Sequence, residues 1–195
     1  MASRYWVGGT GTWDNTAGTK WATTSGGSGG AAVPGSSDDV FFDAASGAVT
    51  VTWSSLASNS LLSINSTGFT GTHATAGVAR QVIGTGAVWV SPVGCTITGA
   101  PTITVNNNST TATSITCNHA SPSSSNAPNF YFFSGAYTLT LSGTGFNGLS
   151  FTGASGITLA ASTPTLYGNL TMSSGNTFIN LAPTFAGSAT ITPTS

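Results

Sequence analysis

Four aspartates are the only side-chain carboxylates of the sequence, and all lie near its N-terminus, at Asp14, Asp38, Asp39 and Asp43. A glycosidase needs two facing carboxyl groups at a defined separation. From residue 44 to residue 195 the sequence contains no Asp, Glu or Lys that would act as an acid or a base. We therefore predict that the protein is not an enzyme.

The same aspartates are candidate metal ligands. Asp38, Asp39 and Asp43, together with backbone carbonyls, have the oxygen chemistry that Ca²⁺ prefers. They lack the alternating Asp/Asn and Gly pattern of a calcium-binding loop. Aspartates near strand ends more often accept hydrogen bonds from backbone N–H groups in turns. We expect this second role and no bound metal.

Two histidines and two cysteines complete the set of reactive side chains. His73 and His119 lie among Thr, Ala and Ser without a nearby acid, so we expect two surface or turn histidines rather than part of a Ser-His-Asp triad. Cys95 and Cys117 match no zinc-binding pattern. We interpret them as two small buried apolar residues, with a disulfide as the alternative in an oxidising compartment. No cofactor is expected.

A cluster of large aromatic residues opens the chain: Tyr5, Trp6, Trp13 and Trp21. Such rings stack on sugars, but a small unit with few aliphatic residues also needs them to bury enough area, since each buries about 150–250 Å². We therefore favour a core or subunit interface over sugar binding. Together with Arg4, these residues form our candidate attachment element, in which Trp and Tyr supply interface energy.

A second aromatic run comprises Phe130, Tyr131, Phe132 and Phe133. Side chains alternate between the two faces of a strand, so this run would place aromatic rings on both faces. Burial on both sides would suit a contact between chains or a strand between two layers. A receptor-binding patch is the alternative.

The composition excludes several partners and predicts the fold class. Only 4% of residues are charged and the net charge is −1, with three Lys and Arg residues in total. So few cations cannot neutralise many phosphates, which argues against nucleic-acid binding, and no polybasic, amphipathic or long apolar segment indicates a membrane.

Glu is absent, whereas Ser and Thr number 62. Without the exposed straight-chain residues of helices, and with many β-favouring residues, the chain is predicted to be all-β.

The distribution of charge predicts two units: a head, residues 1–45, and a body, residues 46–195. The body is predicted to be subdivided near residues 106–129, where polar residues lie on both sides of a short strand. Strand-type alternation is clear at Ala48–Trp53, Thr102–Val105 and Tyr137–Gly143. After residue 136, apolar runs recur at intervals of about 20 residues, as stacked β coils require. We predict a small β unit followed by a β-solenoid, or β-helix-like, body, with a β-sandwich as the alternative.

The opening "SRYWVGGTGTWDNTAGTKWATTSGG", the following "DDVFFDA" and the later "LYGNLTMSSG" together resemble tail-fibre and other appendage proteins of bacteriophages. A similar opening resembles that of some bacterial surface proteins with β-helical bodies. The resemblance of the head covers about residues 3–45. It implies a virion structural protein, forming a β-rich and usually trimeric appendage that docks to other virion proteins of the tail, baseplate or capsid.

The resemblance and the composition together suggest where the protein acts. The sequence begins without the apolar segment of a standard signal peptide, although its neutral, hydroxyl-rich composition is extracellular in character. Assembly into a virion in the host cytoplasm would reconcile the two, as would a non-classical secretion route. For the function, the alternatives are an adhesin module that binds a host-surface receptor or carbohydrate, and a capsid decoration protein.

We also expect the body to form a homo-oligomer, with a trimer favoured. Neutral strands without Lys or Glu would leave sheet edges open to pairing, and neighbouring chains would close them. We expect deletion of residues 1–45 to leave a folded body that no longer joins its parent assembly.

Overall fold

The protein is described by a computed structural model over residues 1–55, 57, 60–106, 112–133, 138–153, 158–173, 177–181, 183–186 and 191–194. Within these residues the secondary structure consists of short β-strands and one 3-10 helix, Ala44–Ser46. No helix there is long and apolar enough to cross a lipid bilayer. The prediction of an all-β protein is confirmed.

Most strands have two to five residues. In chain order they are β1 (Ala2–Trp6), β2 (Gly11–Trp13), β3 (Trp21–Ala22), β4 (Asp38–Phe41), β5 (Thr50–Trp53), β6 (Ser60–Leu61), β7 (Ser63–Asn65), β8 (Thr72–Ala74), β9 (Ala79–Val82), β10 (Gly86–Ser91), β11 (Thr96–Thr98), β12 (Thr102–Val105), β13 (Thr113–Cys117), β14 (Asn129–Phe133), β15 (Thr138–Ser142), β16 (Leu149–Gly153), β17 (Thr158–Ser162), β18 (Thr165–Leu166), β19 (Leu170–Ser173), β20 (Thr177–Leu181), β21 (Thr184–Phe185) and β22 (Ile191–Thr194).

The strands stack into sheets that run along the molecule. A nine-stranded sheet has the order β20-β17-β15-β13-β10-β7-β4-β1-β3, a seven-stranded sheet the order β22-β19-β16-β14-β12-β9-β6, and a four-stranded sheet the order β11-β8-β5-β2, while β18 and β21 form a further pair. Successive strands such as β4, β5 and β6 go to three different sheets, and the next three repeat the circuit. This is a β-solenoid, as predicted, and not a β-sandwich.

Apolar residues alternate with hydroxyl residues in the strands, and this alternation places the core inside the coils. In β12, Ile103 and Val105 are fully buried, whereas Thr102 and Thr104 are partly exposed. The strands pair in parallel, so each inward side chain lies above its counterpart in the preceding coil. Val105, for example, is in register with Val82 of β9 and with Phe132 of β14.

The repeat of about 20 residues that the sequence shows after residue 136 corresponds to one coil. Leu139 of β15 is in register with Leu159 of β17, and Leu159 with Phe178 of β20, all in parallel. The alternation predicted at Tyr137–Gly143 is found at Thr138–Ser142; Tyr137 lies outside the described residues. The recurrence of apolar runs thus predicted the stacked coils correctly.

The sheets continue from the head into the body. Val40 of β4 is in register with Ile64 of β7, and Trp13 of β2 with Trp53 of β5. At the N-terminal end, β3 pairs antiparallel with β1, where Trp6 is in register with Trp21. This short strand covers the end of the nine-stranded sheet. The sheets also pass the 106–129 segment without a break, because β10 pairs with β13 and β12 with β14.

Candidate attachment and contact sites

The three tryptophans of the head lie in the core. Trp6, Trp13 and Trp21 are each at most 1% exposed. Trp21 contacts Trp6 and Trp13 edge to face, with ring centres 5.1 and 5.5 Å apart. Edge-to-face contacts of this kind add to the free energy of burial. Of the roles considered from the sequence, the core role is the one observed, because these rings have no surface with which to touch a sugar or a second chain.

These rings begin an aromatic row that runs through successive coils. Trp13 contacts Trp53 at 5.3 Å between ring centres, and Trp53 contacts Trp89 at 6.3 Å. The row continues to Phe130 and Phe146, at 5.7 and 5.5 Å. Head and body therefore share one hydrophobic core.

A buried cation interrupts this core. Arg80 is 1% exposed, and its guanidinium carbon lies 4.9 Å from the Trp13 ring centre and 5.3 Å from that of Trp53. Its two terminal nitrogens donate to the carbonyl oxygens of Ala79 and Ser54, at 2.9 and 2.7 Å. Burial lowers the pKa of Arg80 to about 10, so the side chain stays protonated at neutral pH. In the described part of the chain, no carboxylate forms an ion pair with Arg80. The aromatic faces and the carbonyl dipoles stabilise its positive charge instead.

Both histidines are buried, so the expectation of surface histidines was wrong. His73 lies in β8, whereas His119 lies in the connection that follows β13. His73 is 1% exposed; Trp53 Nε1 donates to its Nδ1 at 3.3 Å. The ring proton therefore lies on Nε2, which donates to Ser66 Oγ at 3.0 Å. Burial lowers the pKa of His73 to about 3. A neutral, enclosed imidazole with both nitrogens hydrogen-bonded has a structural role.

The cysteines are free and buried, as predicted. Cys117 Sγ donates to the carbonyl oxygen of Gly145 at 3.0 Å and lies 3.7 Å from His119 Nδ1. Burial raises the pKa of Cys95 and of Cys117 to about 12. A thiol that stays protonated in this way is a poor nucleophile and a poor metal ligand.

The charged groups of the head are paired within the chain. Arg4 Nε lies 3.3 Å from Asp38 Oδ2, and Lys20 Nζ lies 3.0 Å from Asp14 Oδ1. Asp39 accepts a hydrogen bond from Ser63 Oγ at 2.6 Å. Through these contacts, each of the three aspartates stabilises the local structure of the head.

Asp43 accepts from the backbone N–H groups of Ala45 and Ser46 and caps the 3-10 helix. This is the turn-capping role expected from the sequence. Over the residues that the structure describes, no group of three or more His, Cys, Asp or Glu side chains is placed to hold a metal ion.

Tyr5 and Arg4 are the members of the predicted attachment element that keep exposed surface. Both are partly exposed. Tyr5 precedes the fully buried Trp6 in β1 and therefore points to the outer face of the nine-stranded sheet. There it stacks on Phe41, with ring centres 4.7 Å apart and an interplanar angle of 15°. An attachment through Tyr5 would use this outer face.

The aromatic run of β14 has two faces, as the alternation predicted. Phe130 and Phe132 are fully buried, and Phe132 stacks on Phe151 of the next coil at 4.5 Å. Tyr131 and Phe133 point outward and are 39% and 42% exposed. The outer pair keeps both predicted roles open, a contact between chains and a receptor patch.

A shallow cleft of about 330 Å³ lies beside Tyr131 on the outer side of the seven-stranded sheet. Its walls come from the start of β14 and from the turns that lead into β16 and β19, and they include Asn129, Asn147 and Gly148. No pattern in the sequence indicated this cleft. The "FNG" and "YGN" segments that form it have the composition of turns, and three successive coils are needed to bring them together.

Comparison of the chain with protein-family models, with curated proteins and with solved structures found no match. The functional interpretation below therefore depends on the geometry of this chain.

Proposed function

We propose that the protein is a structural component of a bacteriophage appendage such as a tail fibre, in which the head docks to the particle and the body projects as a shaft. The observation that carries this proposal is the uneven distribution of charge along the solenoid. All four aspartates, Arg4 and Lys20 belong to the head. The one charged residue of the body, Arg80, is buried.

The outer faces of the body support a role as a neutral shaft. Thr50, Thr72 and Thr96 of successive coils are in register on the four-stranded sheet, and Thr98 is exposed beside them. Threonine gives a strand a wettable outer face without charge while favouring the extended backbone. Such a surface needs no partner for solubility, so specific contacts are left to the head and to local patches.

The solenoid changes the reason for which we expect an oligomer. In stacked coils each strand pairs with the coils above and below it, so open sheet edges lie only at the two ends of the stack. Lateral assembly into a trimer must therefore use sheet faces. Among the described residues, Phe133 is a large apolar side chain that lies 42% exposed on an outer sheet face of the body. A trimer with its lateral contact at Phe133 is part of the proposal on this basis.

Labelling of particles tests the proposal. Antibodies raised against the purified protein should mark an appendage in electron micrographs of particles released from the host that carries the gene. Label that is confined to material outside particles would contradict a virion role.

The docking half of the proposal is tested separately. Tyr5→Ala should lower the fraction of protein that co-sediments with particles, because Tyr5 lies on the outer face of the head. Thr98→Ala is the matched control, since Thr98 is exposed on a later coil, and it should co-sediment normally. Equal incorporation of the two variants, with normal melting curves, would refute docking through this face.

A further inference from the structure

The cleft beside Tyr131 combines an aromatic ring with neutral polar groups from three successive coils. Asn129 and Tyr131 come from β14, Asn147, Gly148 and Ser150 from the next coil, and Thr171 from the one after. Tyr131 is 39% exposed, so part of its ring faces solvent at the cleft. The backbone that carries these groups is held by pairing between coils: Phe130 N donates to Gly148 O at 2.8 Å, and Leu149 N donates to Asn169 O at 3.0 Å. The site is therefore built on rigid elements.

The side-chain amides of Asn147 and Asn129 differ in their hydrogen bonding. Asn147 Nδ2 donates to the carbonyl oxygen of Ser124 at 3.0 Å, which fixes the orientation of that amide. In the described part of the chain, the side chain of Asn129 has no hydrogen-bond partner, and it borders the cleft. It therefore has both a donor and an acceptor to offer to a ligand.

Gly148 keeps the cleft open. A Cβ atom at this position would lie 2.9 Å from Asn129 Oδ1 and 3.5 Å from the carbonyl oxygen of Asn169. The first distance is shorter than real Cβ contacts, so an alanine here would place a methyl group at the cleft and force the Asn129 amide to move. The backbone of Gly148 does not have the positive φ that would itself require glycine. Space at the cleft is what this glycine provides.

The chemistry of the lining selects a ligand class. The described lining residues include no carboxylate, ammonium, guanidinium or imidazole group, so the cleft offers nothing to balance the charge of an ionic ligand, whose desolvation would be costly. A sugar ring presents an apolar C–H face and a rim of hydroxyl groups. An exposed tyrosine ring matches the face, and amide and hydroxyl side chains match the rim. The volume of about 330 Å³ lies at the lower end of the range of small-molecule sites.

We infer that this cleft binds a neutral saccharide, with Tyr131 as the stacking platform and Asn129 as a hydrogen-bonding group. The inference goes beyond the docking role of the head, and neither depends on the other. A lateral contact between chains is the competing use of this surface, and it would involve Phe133, which lies on the same face of β14 but does not line the cleft.

The test uses the full-length protein and an array of neutral gluco-, galacto- and manno-oligosaccharides beside sialylated and sulfated ones. We expect binding to neutral members of the array, and calorimetry with the best of them gives the affinity. Tyr131→Ala should weaken binding about tenfold or more, as the loss of a central aromatic anchor does. Gly148→Ala should weaken it similarly by filling the cleft, whereas Tyr131→Phe should retain most of the affinity because it keeps the ring.

Phe133→Ala is the matched control and should bind as the unchanged protein does. Melting curves show whether each variant is folded, and Gly148→Ala and Tyr131→Ala test the cleft from opposite walls. The inference is overturned if no neutral saccharide binds, if only anionic ones do, or if both cleft variants bind normally. It is also overturned if Tyr131→Ala and Phe133→Ala both convert an oligomer to monomers by sedimentation, since the surface would then be a contact between chains. None of these results bears on particle docking, which is measured by co-sedimentation.

Discussion

The guanidinium carbon of Arg80 lies 4.9 Å from the centre of the Trp13 ring, so a cation of the body rests on a tryptophan of the head. The two residues belong to β9 and β2, on different sheets of the solenoid. Trp53 lies on the same guanidinium at 5.3 Å. This contact joins two parts of the chain that the sequence presents as separate, and it suggests that Arg80 stabilises the junction.

Replacement of Arg80 should destabilise the fold markedly. Arg80→Ala removes the contacts with Trp13 and Trp53, leaves a cavity and removes the hydrogen bonds from the guanidinium to the carbonyl groups of Ser54 and Ala79. We expect a loss of about 2–4 kcal/mol in the free energy of unfolding, measured by urea denaturation. Arg80→Lys should also be destabilising, because an ammonium lacks the planar fork that meets both rings and both carbonyls.

Arg4→Ala is the control for the loss of a cation. Arg4 pairs with Asp38 at 3.3 Å near the surface, and a pair of this kind contributes about 1 kcal/mol or less. If the Arg80 and Arg4 variants were equally stable, the buried cation would not stabilise the junction.

Stability should fall as the pH is lowered below about 6.5. Unfolded His73 takes up a proton near its ordinary pKa of 6.5, whereas in the folded protein burial lowers this pKa to about 3. Between these values the unfolded state binds more protons, so acid favours unfolding by about 1.4 kcal/mol per pH unit for this residue. Burial lowers the pKa of His119 as well, which adds in the same direction.

Urea midpoints measured between pH 7 and pH 4.5 check this expectation, and this range lies above the ordinary titration of aspartates. His73→Gln should reduce the slope, because glutamine offers hydrogen-bonding groups to Trp53 and Ser66 without taking up a proton. A slope that is the same in the variant would mean that His73 is protonated in the folded state.

The thiols should be unreactive until the protein unfolds. Cys95 and Cys117 are fully buried, and burial raises the pKa of both to about 12, so almost no thiolate exists at pH 8. Ellman's reagent should detect both thiols in denaturant and neither in the native protein over minutes. Rapid labelling of the native protein would show that the coils around Gly145 open readily.

Local patterns in the sequence predicted those features of the fold that depend on residues close together in the chain, namely the strands and their buried faces. The alternation at Thr102–Val105 gave the correct buried face, and the two-sided aromatic run was read correctly at Phe130–Phe133. The low charge and high threonine content predicted the all-β class, because they describe strand surfaces residue by residue. The recurrence of apolar runs predicted the stacked coils.

What the sequence did not reveal depends on contacts between distant residues. The rings on Arg80 are Trp13 and Trp53, from earlier coils. His73 packs on the nearby Phe69 but also on Phe42 and Trp53, which are distant in sequence. The cleft beside Tyr131 was missed for the same reason, since its walls belong to three coils. One signal was available: Arg80 is the only charged residue after Asp43. A single cation in a body that is otherwise uncharged indicates that Arg80 makes specific contacts within the fold.

Removal of the head should destabilise the body, contrary to what charge and composition alone suggest. Deletion of residues 1–45 removes the parallel neighbours of β5 and β7, and it takes Trp6, Trp13 and Phe42 from the core. It would leave Trp53 and Arg80 facing solvent. Solenoids need a terminal repeat that covers the last apolar layer. We therefore expect the truncated protein to aggregate or to melt at a much lower temperature.

Trp13→Ala is a milder version of the same change. It should lower the free energy of unfolding by about 3–5 kcal/mol, because a large buried ring is lost, whereas Tyr5→Ala, at a partly exposed position, should cost about 1 kcal/mol or less. Circular dichroism of each protein during urea unfolding gives the comparison. A truncated protein that unfolds as cooperatively and at the same midpoint as the full chain would show that the body folds alone. Poor incorporation of Trp13→Ala into particles would then need an explanation other than lost stability, and a direct docking role for the head would gain support.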